Sequence, residues 1–301
     1  MQTLESLKRQ IDNVEDLSSV VKTMKTLAAV SIRQYEQAVE SLADYFSTVE
    51  CGLQILLREQ PVTSSVELTS AHRVGAIVFG SDQGMCGNFN EQVATFAASH
   101  LCEELKLKQA DCSLLVVGSR ASSHLADAGF TIDEEIAVAS SASGITDVVQ
   151  KLLAAIAPWR VEKRIGRILL YWNRRQAVSS YTGHWQELLP VRPEQFRLPH
   201  NQKWPGKSLP LHTMDREILF TRLIQQYLFV SLFQAHAESL AGENASRIAS
   251  MHAAERNVQT RLDELRSEYH QKRQTVITEE LLDVVTGVEA LMRGDADDEV
   301  A

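Results

Sequence analysis

Proline is missing from both ends of this chain of 301 residues, and glycine is missing from the first of them. Neither residue occurs from Met1 to Cys51, and all seven prolines lie at or before Pro210. Proline breaks the interior of a helix and glycine weakens it, so long stretches without them favour long helices. We therefore expect helical ends and a different structure between them.

A basic excess and a long apolar run are also absent. Lys and Arg total 30 while Asp and Glu total 39, which gives a net charge of -9. This balance does not favour broad electrostatic binding to nucleic acid or to an anionic membrane surface. No stretch approaches the ~20 consecutive apolar residues that a membrane-spanning helix needs. Any association with a membrane is therefore expected to go through partners.

The cysteines carry no recognisable pairing pattern. The chain has 4 of them and no CxxC pair, which predicts reduced thiols in a cytosolic compartment. Cys102 and Cys112, together with His100 and His124, have a spacing that fits no zinc motif. We assign no metal ion and no disulfide.

Apolar residues recur every three or four positions from Leu4 to Leu56, which is the period of one helix face. At 1.5 Å per residue the pattern predicts a helix of about 80 Å, as in a coiled coil. Gly52, Pro61 and the Ser- and Thr-rich stretch 63–70 mark its end. The first domain is predicted to be a coiled-coil helix over residues 1–60.

A second long helix is predicted over residues 211–294, with an apolar seam that includes Leu265 and Leu281. It would extend for roughly 120 Å if continuous. Gly242 in its interior predicts a kink or a point of close contact. The two terminal helices bury their seams most simply as an antiparallel pair, and an acidic tail over 295–301 follows them.

Residues 71–200 follow a different pattern, and we predict that they form a central α/β domain. Short apolar runs indicate buried strands at 73–79, 113–117 and 167–172. Helical patterns lie at 88–106, 119–128 and 144–157. Strands that alternate with helices predict a mostly parallel sheet with right-handed crossovers. The segment 177–188 is expected to add an antiparallel or edge strand, and the prolines of 190–210 predict an irregular return.

The best candidate for chemistry is the glycine-rich turn from Gly80 to Gly87, between a strand and a helix. Phosphate loops occupy this context, but the glycines match neither GxGxxG nor a P-loop. We favour a structural turn in which Asn88 or Asn90 caps the helix. Cys86, beside the helix start, could have a lowered pKa. The histidines at 236, 252 and 270 are expected on the surface or in the seam of the second long helix.

Four segments together resemble a known family. They are VVKTMKTLAAVSIRQYEQAV at 20–39, GSDQGMCGNFN at 80–90, ESLAGENASRIASMHAAERN at 238–257 and RQTVITEELLDVVTGVEAL at 273–291. In order and spacing they resemble the gamma subunit of F-type ATP synthases, over nearly the whole chain. The last two segments are the most specific. Residues 10–19, QIDNVEDLSS, replace a basic cluster that is usual in the family, which indicates a divergent bacterial branch.

The resemblance implies a fold of the α/β class with long helices: an antiparallel coiled coil of the N- and C-terminal helices plus a central Rossmann-like α/β domain. It implies a central rotor shaft that couples ion flow through the membrane sector to ATP synthesis or hydrolysis at the beta subunits. The implied partners are the alpha and beta subunits, the epsilon subunit and the rotor ring of c subunits. No cofactor and no catalytic residue are implied, and the place is peripheral, on the cytoplasmic side of a bacterial inner membrane.

The same resemblance implies contact residues for the beta subunit. Met24 falls where the shaft faces a beta lever with an acidic loop, and Arg247, Gln274 and Thr278 fall where polar shaft residues catch a beta loop. From the residues alone, Met24 could equally pack in the seam, and Gln274 and Thr278 could be solvated helix residues. Two other classes of protein stay open as well: a coiled-coil scaffold and a nucleotide-using α/β enzyme.

Overall fold

The computed structural model describes residues 3–59, 73–159, 162–176, 181–191 and 213–298. Helix α1 runs over Leu4–Glu59 and the last helix, α5, over Arg216–Asp298. Both predicted long helices are therefore present, and α5 continues past Gly294 because a single glycine does not end a helix. Most of the predicted irregular return lies outside the described residues, from 192 onward, as does the end of the acidic tail from 299.

The chain divides into two compact units, Met1–Thr26 with Met251–Ala301 and Leu27–Ser250, and α1 and α5 contribute to both. In the first unit the Lys25 ammonium lies 2.7 Å from a Glu255 carboxylate oxygen, and Arg266 lies 2.7 Å from Glu15. Residues later in α1 thus pair with residues earlier in α5. The predicted antiparallel pairing is confirmed.

Within the second unit lies a five-stranded sheet in the order β3-β2-β1-β4-β5. Its strands are Arg73–Phe79, Cys112–Val117, Ile132–Ile136, Ile165–Arg175 and Tyr181–Leu189, numbered β1 to β5. Strands β1 to β4 pair in parallel and β5 is an antiparallel edge strand, as the sequence predicts. Strand β3 was not predicted, because this edge strand reads IDEEI and its three acids are exposed.

Helices cover both faces of the sheet. The shorter helices are Phe89–Ser99, Ser119–Asp127 and Ile145–Ile156, numbered α2 to α4, and α2 continues into a π-helical turn over His100–Glu104. Side chains alternate along β1, so Val74, Ala76 and Val78 pack with α2 and α3, while Ile77 and Phe79 pack with α1, α4 and α5. The second unit thus contains a mostly parallel sheet that is covered by helices on both faces.

Within the part of the chain that the structure describes, no helix is both long and apolar enough to cross a lipid bilayer.

Candidate functional site: the crevice at the carboxyl ends of β1 and β4

The sheet has one topological switch point, between β1 and β4. The chain passes from β1 outward to β2 and β3, and then returns to the other side of β1 as β4. In open α/β sheets, ligands bind in the crevice at the carboxyl ends of the two strands at this point. The glycine-rich turn 80–87 leaves β1 at this place. If the domain had a nucleotide site, this is where it would lie.

Helix α5 occupies this crevice. The Ser239 hydroxyl donates to the carbonyl of Phe79, the last residue of β1, at 3.3 Å. A Cβ added at Gly242 would lie 2.9 Å from the carbonyl oxygen of Asn173 on β4. The Ser246 hydroxyl donates to the carbonyl of Cys86 in the turn at 2.5 Å. Gly242 is thus a point of close contact, as predicted, and the helix backbone fills the space that ligands occupy in related architectures.

The position for an anion beside α3 is occupied too. A helix N-terminus attracts negative charge through its free N–H groups. Here one oxygen of Asp82 accepts from the N–H of Ser119, the first residue of α3, at 2.9 Å. Its other oxygen accepts from the N–H of Val138 at 2.8 Å. The protein therefore places its own carboxylate where a phosphate would otherwise bind.

The two asparagines of the turn do not act as predicted. Asn88 stands at the N-cap position of α2, but its side chain makes no capping hydrogen bond. Instead its oxygen accepts from the Tyr181 hydroxyl at 2.9 Å. Asn90 reaches back to Ser81, accepting from its N–H at 2.9 Å and donating to its hydroxyl at 2.8 Å. Both side chains tie the turn to its surroundings, and the capping prediction is wrong because these tertiary partners compete for them.

Cys86 is not an activated thiol. Burial raises its pKa above the usual value, and a hydrogen bond from the side chain of Ser81 only partly opposes this effect. A buried thiol in such a site stays protonated and is a poor nucleophile. The suggested lowered pKa is therefore wrong, because the thiol packs inside the turn rather than facing the helix N-terminus in water.

A buried ion pair follows Gly242 on α5. An Arg247 guanidinium nitrogen lies 2.5 Å from a Glu243 carboxylate oxygen, and another donates to the Asn244 side-chain oxygen at 3.1 Å. Burial raises the pKa of the Glu243 carboxyl, and the positive charge of Arg247 acts in the opposite direction. The Arg247 Nε hydrogen has no acceptor among the described residues. Arg247 is 7% exposed.

The histidines of α5 have different surroundings. His252 and His270 are exposed, in line with the prediction. His236 lies instead in the core of the α/β unit, where its ring packs on Phe79 and its Nε2 accepts from the N–H of Ala139 at 3.4 Å. Burial lowers the pKa of His236 to about 3. Among the described residues, no three His, Cys, Asp or Glu side chains form a group that could hold a metal ion.

The other predicted contact residues lie in the first unit. Met24 is half-buried on α1, and Gln274 and Thr278 are exposed on successive turns of α5. The Thr278 hydroxyl donates to the backbone carbonyl of Gln274 at 2.8 Å.

Sequence reasoning missed an apolar surface beside Gln274 and Thr278. Its side chains, all on α5, are between 44% and 66% exposed: Ile277, Leu281, Leu282, Val284, Val285 and Val288. The placement of Leu281 in the seam was therefore wrong. Glu15 lies opposite Arg266, so Leu4, where α1 begins, comes opposite about residue 277 at equal rise on both helices. Beyond that residue α1 does not pack against α5. The shorter length predicted for the first helix was the signal that could have revealed this exposed surface.

Comparison with known proteins agrees with this architecture. The family model described as ATP synthase matches residues 3–291. The ATP synthase gamma chain of Nautilia profundicola is 27% identical over 300 residues, covering 97% of this chain and all of the relative. The gamma chain of a Nostoc species is 29% identical over 329 residues, with the same coverage.

The chain belongs to the ATP synthase gamma-chain family. Its function is that of the family: it is the central rotor shaft of an F-type ATP synthase, a subunit of a rotary complex that links ATP synthesis to ion transport. The family and the function predicted from the four sequence segments are thus confirmed.

Chains from two solved mitochondrial ATP synthases share the fold. A chain of the Euglena gracilis mitochondrial ATP synthase, from the OSCP/F1/c-ring in rotational state 3, has a TM-score of 0.62 at 15% identity, covering 97% of this chain and 95% of that one. A chain of the Tetrahymena thermophila central stalk and c-ring has a TM-score of 0.57 at 19% identity, covering 78% and 99%. The predicted fold class of paired long helices with a Rossmann-like sheet is confirmed.

Proposed function

We propose that the chain turns at the centre of a catalytic ring of alpha and beta subunits and performs no catalysis itself. The observation that carries this proposal is the filled switch-point crevice. Helix α5 and the Asp82 carboxylate occupy the positions where an α/β enzyme holds its nucleotide. The α/β unit therefore serves to hold helix α5, and ATP synthesis and hydrolysis take place on the beta subunits.

The shaft works by differential contact. The apolar surface of α5 from Ile277 to Val288 is larger than isolated exposed side chains would give, and surfaces of this kind mark protein interfaces. Because only some faces of the two helices are apolar, each orientation of the shaft favours a different beta conformation. A change in a two-state beta subunit from 1:99 to 99:1 requires about 5.5 kcal/mol of differential contact energy. Rotation supplies this difference to each beta subunit in turn.

Four residues are proposed to meet the beta subunit. Gln274 and Thr278 are exposed beside the apolar surface and are suited to hydrogen bonds with a beta loop. Met24 contributes a flexible apolar contact from α1. Arg247 presents little surface, but its Nε–H, which has no acceptor among the described residues, would donate to a carbonyl or carboxylate oxygen of such a loop.

The epsilon subunit and the ring of c subunits are the remaining proposed partners. The α/β unit and the adjoining helix ends would bind the epsilon subunit and the ring of c subunits. This places the chain peripherally, on the cytoplasmic side of a bacterial inner membrane.

Co-expression with the alpha and beta subunits of a bacterial synthase tests the proposal. We expect a purified complex that contains the chain and hydrolyses ATP. Absence of a complex, or a complex whose ATPase activity does not depend on the chain, would refute the assignment.

The contact residues are tested in the same complex. Gln274→Ala combined with Thr278→Ala should lower ATPase turnover by about fivefold, the effect of losing roughly one hydrogen bond in the contact. Gln271→Ala, on an exposed position of the same helix, is the matched control. For Arg247, Ala would leave the Glu243 charge buried and unpaired, so Arg247→Lys is the better variant. Unchanged turnover in all of these would remove the residues from the interface.

A further inference from the structure

The contact between α5 and the α/β domain is made by backbone as well as by side chains. Gly242 brings the helix within touching distance of the β4 carbonyl of Asn173. On the facing side, Gly87 of the turn has φ of +59°, and a Cβ added there would lie 3.1 Å from the Ser250 hydroxyl. Each partner thus presents a glycine at a point of close approach. This interlock lies entirely within the second unit.

Such an interlock fixes rotation in a way that an apolar seam does not. Apolar packing is not directional. Because an apolar seam repeats along a helix, a helix that shifts by one repeat can restore most of its apolar contacts. Turning α5 by one residue, about 100°, would bring Ala241 or Glu243 opposite the Asn173 carbonyl. Their Cβ atoms would then occupy the position that lies 2.9 Å from that oxygen, which no real Cβ tolerates. The Ser246 bond to Cys86 would be lost in the same movement.

We propose that Gly242 and Ser246 are positioning residues that hold α5 at one rotational phase in the α/β domain, so that torque passes between them without slip. The inference rests on the proposed function, because only a rotor needs this property. Helix α5 continues without interruption from Arg216 to Asp298. Gln274 and Thr278, which we propose to contact the beta subunit, belong to the same helix.

The test compares ATP hydrolysis with ATP-driven ion uptake in the complete synthase reconstituted in lipid vesicles. Gly242→Ala should leave hydrolysis within about twofold of the wild type, while ions taken up per ATP fall by about tenfold, because the added methyl forces the helix out of its phase. Gly84→Ala is the matched control: it lies in the turn itself, and an added Cβ there meets nothing within 4 Å. This variant should retain normal coupling.

Ser246→Ala provides a second variant that adds no volume and so avoids a failure to fold. It should lower the ions taken up per ATP by about fivefold or less, since one hydrogen bond to the turn is lost. Normal coupling in both variants would overturn the inference, and so would a proportional fall of hydrolysis and uptake, which indicates only loss of folded enzyme. A wild-type complex without ATPase activity would instead refute the proposed function, so the two failures are distinguishable.

Discussion

Two stretches of the same helix have opposite surroundings. No residue of α5 from Tyr227 to Ser250 is exposed, whereas every residue from Ile277 to Val288 is. Both stretches are rich in apolar side chains, so composition does not separate them. The difference lies in what the chain itself supplies: the sheet, α1 and α4 surround the first stretch, and α1 does not extend along the second. The buried stretch fixes the helix, and the exposed stretch is left for other subunits.

The buried stretch is also the more specific of the two. Its contacts include hydrogen bonds from Ser239 and Ser246, a glycine against a carbonyl, and the Glu243 to Arg247 ion pair. The exposed stretch from Ile277 to Val288 carries aliphatic side chains that can slide past successive partners. A rotor needs both properties on one element, because it must be held firmly at one place and turn smoothly at another.

The largest expected effect comes from truncating one leucine in each stretch. Leu240→Ala, at a position that is 3% exposed, should lower the free energy of unfolding by about 2–5 kcal/mol. Leu281→Ala, at a position that is 61% exposed, should change it by less than about 0.5 kcal/mol. Urea unfolding followed by tryptophan fluorescence, to which the buried Trp159 and Trp172 contribute, measures both. Equal losses would show that the two stretches are not different in the free chain.

Two glycines sharpen the comparison. Gly242→Ala should destabilise the free chain by about 1–3 kcal/mol, because the methyl meets a backbone carbonyl. Gly287→Ala should stabilise the helix by up to about 1 kcal/mol, since an added Cβ there meets nothing and alanine favours a helix. Thermal unfolding should show a lower midpoint for Gly242→Ala and a higher midpoint for Gly287→Ala than for the wild type. A stabilising Gly242→Ala would contradict the close contact.

The smallest effect is a dependence on pH. His236 has a pKa lowered to about 3 by burial, from 6.5 in the unfolded chain. Below pH 6.5 the unfolded state binds a proton that the folded state does not, so stability falls as pH falls from about 6.5 towards 3. At pH 5.5 the loss is on the order of 1 kcal/mol. Urea unfolding at pH 7.5 and 5.5 should show this loss in the wild type and in the exposed-site control His270→Gln, and should not show it in His236→Gln. The same loss of stability in the wild type and in both variants would show that another group causes the pH dependence.

Local patterns in the sequence predicted the long helices, their antiparallel pairing and most of the sheet. Periodicity is a property of neighbouring residues, so strand β1 and helix α3 could be recognised directly. Strand β3 could not, because its exposed acids carry no apolar signal. Among the described strands it pairs only with β2.

The candidate site was less accessible to such reasoning. The glycine turn was recognised, but Cys86 and His236 contact residues far away in the chain, Ser246 and Ala139. That α5 enters the crevice could not be read from either segment alone, since it requires knowing where β1 and β4 end relative to Gly242. The exposed surface at Leu281 depends likewise on the length of another helix.

Hydrogen exchange of the backbone amides of α5 tests the account most directly. In the free chain, amides from Tyr227 to Ser250 should exchange slowly and those from Ile277 to Val288 quickly, because only the first stretch is covered. In the complex with alpha and beta subunits, the second stretch should become protected while the first stays unchanged. Protection of Ile277 to Val288 in the free chain, or its absence in the active complex, would contradict a helix fixed at one place and offered to partners at another.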